Sequence, residues 1–381
     1  MFSQISTTLR RVISILLVGF ITCPSTYGLI SVNDGKNRIY VNATTTYAWD
    51  SNIFANRDSG GDSILSASLG VDFQRRAGLI AVNGNVYVDA SSFIQNKSEN
   101  FLNPRFHVEF SKQTGRTTGA LTAGAARQSR ADSAANLRNE SWAYDAGLNL
   151  KYPVIERYSI SGGIGYSLLD FVDNTLLVDL STYSANLDLF YIYNTERDLI
   201  ASYRIRYGET SASTSYYDHA FTVGVSGRIF SKLSGTLRVG YQIREPSQGG
   251  GDSNSAVTAS SNATWPITKK MNAILNLSKD FSTTSTNISV DSTSVGVNLQ
   301  YALNSKLVSY AGTGYGLSKF LGSLGGDRED QYFTWNVGAN YTVFAEHLKL
   351  SFTYTYFQNW STLSYSSFER NSLNITASSQ F

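Results

Sequence analysis

Arg204 and Arg206 stand two residues apart in "SYRIRYG", and Arg228, Arg238 and Arg244 follow in the next two segments. A guanidinium is a planar fork of donors that fits carboxylate or phosphate oxygens, and a spacing of two puts both forks on one side of an extended chain. The chemistry this offers is contact with anionic groups, without bond making. Acidic counterparts, Asp72, Asp89 and Glu109, lie earlier in the chain. The three histidines, His107, His219 and His347, share no metal-ligand spacing, and each reads as a solvated polar residue. No G-x-S-x-G is present to carry a serine nucleophile, and glycine pairs such as those in "GLIAVNG" belong to strands or turns rather than to a phosphate loop. Neither a catalytic residue, nor a metal, nor a cofactor is expected, so the chain reads as a non-enzyme.

The elements that must position these residues are strands. In Tyr183 to Tyr193, Ala185, Leu187, Leu189, Tyr191 and Tyr193 fall on one face, with Ser184, Asn186 and Asp188 on the other. The same period of two runs through Leu348 to Tyr356 and through Phe333 to Val343. About 18 such segments, each as long as the roughly 9–11 residues a tilted membrane strand needs, extend from Ile39 to the end. The first is expected at Ile39 to Asn52 and the last at Leu373 to Phe381. No segment reads as a long helix.

Connections of two kinds alternate. Short ones include "RRAG" at Arg75 and "NSK" at Asn304; longer ones, rich in Gly, Ser, Asp and Asn, include "RADSAANLRNE" after Ser129 and "GSLGGDRED" after Leu321. Short turns on one side and longer loops on the other are the plan of a transmembrane barrel with periplasmic turns and extracellular loops. A soluble β-sandwich or β-helix also fits a period of two. It gives no reason for aromatics to gather at strand ends, as Trp49, Trp142 and Trp360 do toward the loops and Phe73, Phe110, Tyr152, Phe230 and Phe344 do toward the turns. The expected fold is therefore an all-β, transmembrane, antiparallel up-and-down barrel.

The N-terminus supplies Arg10 and Arg11, an apolar run from Val12 to Ile21 and small residues at Thr26 and Gly28. This is the plan of a secretory signal peptide, expected over residues 1–28, with the barrel over 29–381. Removing it takes away two of 31 basic residues and none of the 29 acidic ones, leaving 29 of each. That balance provides no field for nucleic acid. The sole Cys, Cys23, leaves with the same segment, and "FITC" is a poor lipid-anchor sequence.

If the apolar face of each strand meets lipid, Arg204, Arg206, Arg228, Arg238 and Arg244 line one wall of the lumen. Asp72, Asp89 and Glu109 line another. Such an arrangement predicts a transverse field that orients charged solutes, or, equally, charges that only solvate a wet interior. A barrel this wide encloses an aqueous channel unless something fills it. Loops of about a dozen residues are short for a fold-in constriction, so an open or broadly gated pore is expected.

Two resemblances narrow this. Phe381 looks like the C-terminal aromatic by which bacterial outer-membrane barrels are recognised for assembly. "TTTYAWDSNIF", Thr44 to Phe54, with the hairpin that follows, resembles the opening of the putative β-barrel porin 2 type of outer-membrane protein. The resemblance implies residence in the outer membrane, contact with its lipid and with the barrel-assembly machinery, and a role in exopolysaccharide export with polysaccharide and periplasmic export components as partners. A general diffusion porin for small solutes, or a non-conducting structural or adhesion barrel at the surface, is the alternative.

Overall fold

In the computed structural model the described residues are 30–381, excepting 33–35, 59, 77, 173–175, 248–251, 323–327 and 345–346. The expected signal peptide lies outside them. A short β1 (Ile30–Val32) precedes β2 (Asn37–Asp50), β3 (Asp62–Arg75), β4 (Ala81–Phe93), β5 (Phe101–Lys112), β6 (Thr118–Asp132), β7 (Leu137–Ile155), β8 (Tyr158–Phe171), β9 (Leu180–Asn194) and β10 (Arg197–Thr210). The chain continues through β11 (Ser215–Arg228), β12 (Ser234–Pro246), β13 (Asn254–Pro266), β14 (Met271–Thr283), β15 (Ser289–Ala302), β16 (Leu307–Phe320), β17 (Glu329–Phe344), β18 (Leu348–Ser361) and β19 (Phe368–Gln380).

From β2 onward each strand pairs antiparallel with the next, and β19 closes on β2 from Ser372 opposite Asp50 to Gln380 opposite Asn42. The result is a closed up-and-down barrel of 18 strands, the number the alternation predicts. Phe381 exchanges both backbone hydrogen bonds with Val41 at this seam, and β1 then pairs with β2 beyond it, Ile30 opposite Ile39. The first and last strands begin a few residues before their expected starts. Among the described residues no helix is long and apolar enough to cross a membrane; the crossing is made by strands.

Period two sorts the side chains. Val86, Leu187, Phe221, Val223, Val337, Leu350, Phe352 and Ile375 stand exposed on the outer face as an apolar band for lipid. Tyr166, Tyr183, Tyr207 and Tyr217 occupy one register row across β8 to β11, with successive rings 4.9, 6.3 and 5.0 Å apart. They form part of an aromatic girdle at the loop end. His219 is not the solvated residue its polarity suggests. It follows Tyr217 by two, so it lies on the lipid face, and its Nδ1 is 2.8 Å from the Tyr203 hydroxyl.

The lumen and its closed mouth

All five arginines of the sequence reading occupy inward register positions on β10, β11 and β12, and every one is paired. Arg204 donates to Asp280 at 2.8 Å, Arg206 to Asp280 at 3.0 Å and to Asp218 at 2.9 Å, and Arg238 to Asp188 at 3.1 Å. Arg244 grips Asp218 in bidentate fashion, Nε to Oδ1 at 2.6 Å and Nη2 to Oδ2 at 2.7 Å. Both partners are buried, and the guanidinium lies 3.9 Å from the Tyr216 ring centre. Arg228 stands apart from the other four, at the short-turn rim beside Glu196. The basic wall is thus neutralised by Asp188, Asp218, Glu196 and Asp280, and not by Asp72, Asp89 or Glu109.

The acidic residues lie inward on β3, β4 and β5 without forming a continuous wall. Asp72 accepts from Asn42 and from the Tyr87 hydroxyl, and Asp89 pairs with Arg105 at 2.9 Å. Glu109 has no ion pair among the described residues.

Strands four apart along a flat wall are roughly 19 Å apart, beyond the joint reach of an Arg and an Asp side chain. Arg204 and Arg206 of β10 nevertheless meet Asp280 of β14. The reason lies in where pairing stops. β13 and β14 pair from Pro266 opposite Asn272 only as far as Ala259 opposite Lys279, whereas β14 and β15 stay paired to Thr283 opposite Ser289. Above Lys279 the β14–β15 hairpin leaves its neighbour and swings into the lumen.

There the hairpin is latched by backbone and side chain. Arg206 donates to the Phe281 carbonyl at 2.9 Å, Arg244 to the Ser282 carbonyl at 2.9 Å and to Ser289 Oγ at 3.0 Å, and Thr210 to Asn287 Oδ1 at 3.0 Å.

A second hairpin does the same from the far side. β5 and β6 pair only as far as Arg105 opposite Ala126, while β6 and β7 continue to Asp132 opposite Leu137. Pro104, one residue past the last pair, brings no N–H to the freed edge. The tip reaches across the mouth. Arg328 donates to the Ser133 and Ala134 carbonyls at 3.2 and 3.0 Å, and Asn136 Nδ2 donates to Ser366 Oγ at 2.8 Å. Arg138 binds Glu99 at 3.2 Å and lies over the buried Phe93 ring. Both tips turn on an asparagine in the left-handed region, Asn136 at φ 55 and Asn287 at φ 63, a conformation Asn tolerates better than most residues. They meet where Ser285 Oγ donates to Asp132 Oδ2 at 2.6 Å.

Of the open or broadly gated pore expected from the short loops, this arrangement fits the gated form, with two hairpins reaching over the mouth. Loop length was the wrong measure, because the mouth is closed by strand ends released from their neighbours. The smaller loops add to the closure: Asn52, Ile53 and Ala55 of the first loop are buried. Asp62, at the loop end of β3 above the apolar band, accepts from the backbone N–H groups of Ser63, Ile94, Gln95 and Asn96. Burial pushes its pKa up, but these hydrogen bonds outweigh it and hold the carboxyl below its ordinary value of 3.8.

Sequence reasoning missed Asp188, Asp218 and Asp280. The signal was available, since Asp218 stands directly opposite both Arg206 and Arg244 in register. It also missed a repeat. Residues 147–171 and 296–320 align without a gap and share Gly147/Gly296, Asn149/Asn298, Leu150/Leu299, Tyr152/Tyr301 and the pattern G-x-G-Y-x-L-x-x-F from Gly163 and Gly312.

Comparison with known proteins agrees with this architecture. The family model described as "Putative beta-barrel porin 2" matches residues 218–381. No curated protein matches the chain. Among solved structures, Pseudomonas aeruginosa OccK2 (OpdF) is similar with a TM-score of 0.52 at 11% identity, over 91% of this chain and 97% of that one. Acinetobacter baumannii OccAB3 gives 0.51 at 10% over 91% and 99%, and Pseudomonas aeruginosa OpdK, solved with vanillate, 0.51 at 12% over 90% and 99%. At such identities the likeness is one of fold. Residues 218–381 are thus similar to the family described as putative β-barrel porin 2, and the chain as a whole is a porin-like β-barrel of the bacterial outer membrane.

Proposed function

We propose that the protein is a passive outer-membrane conduit for small polar solutes, shut at its extracellular mouth by two hairpins and opened when they part. The observation that carries this reading is the Ser285–Asp132 contact between hairpin tips that start eight strands apart in a ring of 18. Below it the wall is polar and the arginines are paired, so each charge stays hydrated or partnered and holds a passing solute only weakly.

Exopolysaccharide export, which the family resemblance implies, asks more of the same device. A polymer occupies the mouth throughout its passage, so both hairpins would have to stay displaced, with periplasmic export components to hold them there. It ranks below small-solute passage for that reason. On either reading lipid packs on the apolar band, and Phe381 is what the barrel-assembly machinery reads.

Planar-bilayer recording of the wild type and of Asp132→Ala tests the proposal. Expected are rare openings in the wild type and a several-fold higher open probability in the variant. A wild type that is permanently open, or a variant with no openings at all, would sink it.

A further inference from the structure

The repeat at residues 147–171 and 296–320 has a counterpart inside the lumen. Asn149, Gly163 and Asn186 are mutual register partners on β7, β8 and β9, and all three point inward. Asn298, Gly312 and Asn336 repeat the arrangement on β15, β16 and β17. In each copy the side-chain oxygens of both asparagines close over the glycine, so that a Cβ at Gly163 or at Gly312 would collide with both amides. One register row toward the loops, Gly147, Gly165 and Ser184 are matched by Gly296, Gly314 and Thr334. The two copies lie eight strands apart, on nearly opposite walls. Each stands on the strand that descends from one of the two inward hairpins.

We infer that these are twin binding subsites for a small uncharged polyhydroxy solute. Each offers two carboxamides, able to donate and accept at once, that cover a glycine floor and lie beside a hydroxyl, with a further glycine, Gly147 or Gly296, one row toward the loops. In the second copy Asn298, Asn336, Gly314 and Thr334 line a recess of about 410 Å³ that contains no charged residue. No side-chain hydrogen bond engages the Asn298 or Asn336 amide among the described residues, although hydroxyls elsewhere in the lumen are tied to one another, as Thr46 is to Thr376 at 2.9 Å. Uncharged walls exclude an ionic solute as the preferred occupant, since nothing there repays its desolvation. Amides in matched pairs suit hydroxyl groups, which also donate and accept. In the first copy Asn186 donates to Asp188 at 3.3 Å, so that subsite adjoins the ion-paired wall and is the weaker of the two.

The inference rests on the lumen being a solute path, but its test does not require conduction. Saturation-transfer NMR with sorbitol as probe, on the full protein refolded into zwitterionic detergent free of hydroxyl groups, reports binding directly. Expected is a saturable signal in the wild type, reduced by about half or more in Gly312→Val, less in Gly163→Val and lost in the double variant. Should either glycine variant fail to give the heat-resistant folded band, Asn298→Leu and Asn149→Leu remove the amides without adding a Cβ in the floor. A wild-type signal that does not saturate, or a folded double variant that binds sorbitol as the wild type does, would overturn the proposal. Sorbitol binding in a protein that never conducts would uphold the subsites and refute the conduit.

Discussion

Ser285 and Asp132 lie 153 residues apart in sequence and join the tips of two hairpins across the mouth, Oγ to Oδ2 at 2.6 Å. Asp132 also accepts from Asn139 at 3.3 Å and caps its own turn at the Ala134 N–H at 2.8 Å, so the carboxylate is fixed on its own hairpin before it receives Ser285. A single hydrogen bond to a charged group contributes about 1.5–3 kcal/mol. That is a strength a small change in conditions can reverse, as a gate requires.

If the hairpins part as proposed, locking them together should close the pore. Cys23, within the expected signal peptide, is the sole cysteine, so Asp132→Cys with Ser285→Cys gives a pair with no competing thiol in the barrel. A short bifunctional thiol reagent should abolish openings in a bilayer, and a cleavable version should restore them on reduction. Conductance unaffected by an efficient cross-link would show that solutes do not pass between these tips.

Asp218 holds the inner end of the second hairpin through Arg206 and Arg244. Asp218→Asn leaves the buried Arg244 guanidinium without its countercharge, and breaking such a pair costs about 3–5 kcal/mol. Part of that loss should appear locally. Limited proteolysis is expected to cut between residues 280 and 290 in the variant well before the barrel unfolds in urea, and not in the wild type. Simultaneous loss of both would mean that the hairpin is no separate unit.

The membrane face makes a simpler prediction. Leu350 and Val337 project into the apolar band, while Ser351 points to the lumen. Leu350→Arg or Val337→Arg should cost roughly 2–4 kcal/mol in a refolding titration, and Ser351→Arg close to nothing. Equal costs would show that the faces are exchanged.

Much of this barrel can be read without coordinates, because each strand crosses an apolar slab and therefore declares its faces residue by residue. Val337 against Asn336, and Leu350 against Ser351, needed only a period of two. The mouth could not be read in this way. Whether β14 follows β13 past Lys279 is decided by competition between ladder hydrogen bonds and the latch formed by Arg206, Arg244 and Thr210, and that competition leaves no periodic trace. The period of two puts the five arginines at inward register positions but does not reveal their partners. Asp280 reaches Arg204 only because the hairpin has moved, whereas Asp218 could have been placed from register alone.

The carboxyl of Asp62 gives the loops a pH limit. Its folded pKa lies below its unfolded value near 3.8, so its contribution is fully present above that value and is lost as pH falls through the folded pKa. Backbone amides of Gln95 and Asn96 should exchange faster with solvent below about pH 4, while those of β3 at Leu69 and Val71 stay protected. Uniform loosening of both segments would assign the acid effect to the whole barrel.

Pairing within the wall changes what removal of the arginines should do to ion selectivity. Bare guanidinium groups would attract anions, and their loss would leave a neutral pore. Here Arg204, Arg206, Arg228 and Arg238 each cover a carboxylate, so changing all four to Gln uncovers Asp280, Asp188 and Glu196 and leaves Asp218 with Arg244 alone. Reversal potentials in a salt gradient should then move from near zero in the wild type to clear cation preference in the variant, by an amount that shrinks as salt rises. The same substitutions free one side of the β14–β15 hairpin, so openings should also be more frequent, and the two effects separate because selectivity is read from the open level alone. Strong anion preference in the wild type, lost in the variant without any swing to cations, would mean that the guanidinium groups act as an exposed track and that their pairing does not persist in the open pore.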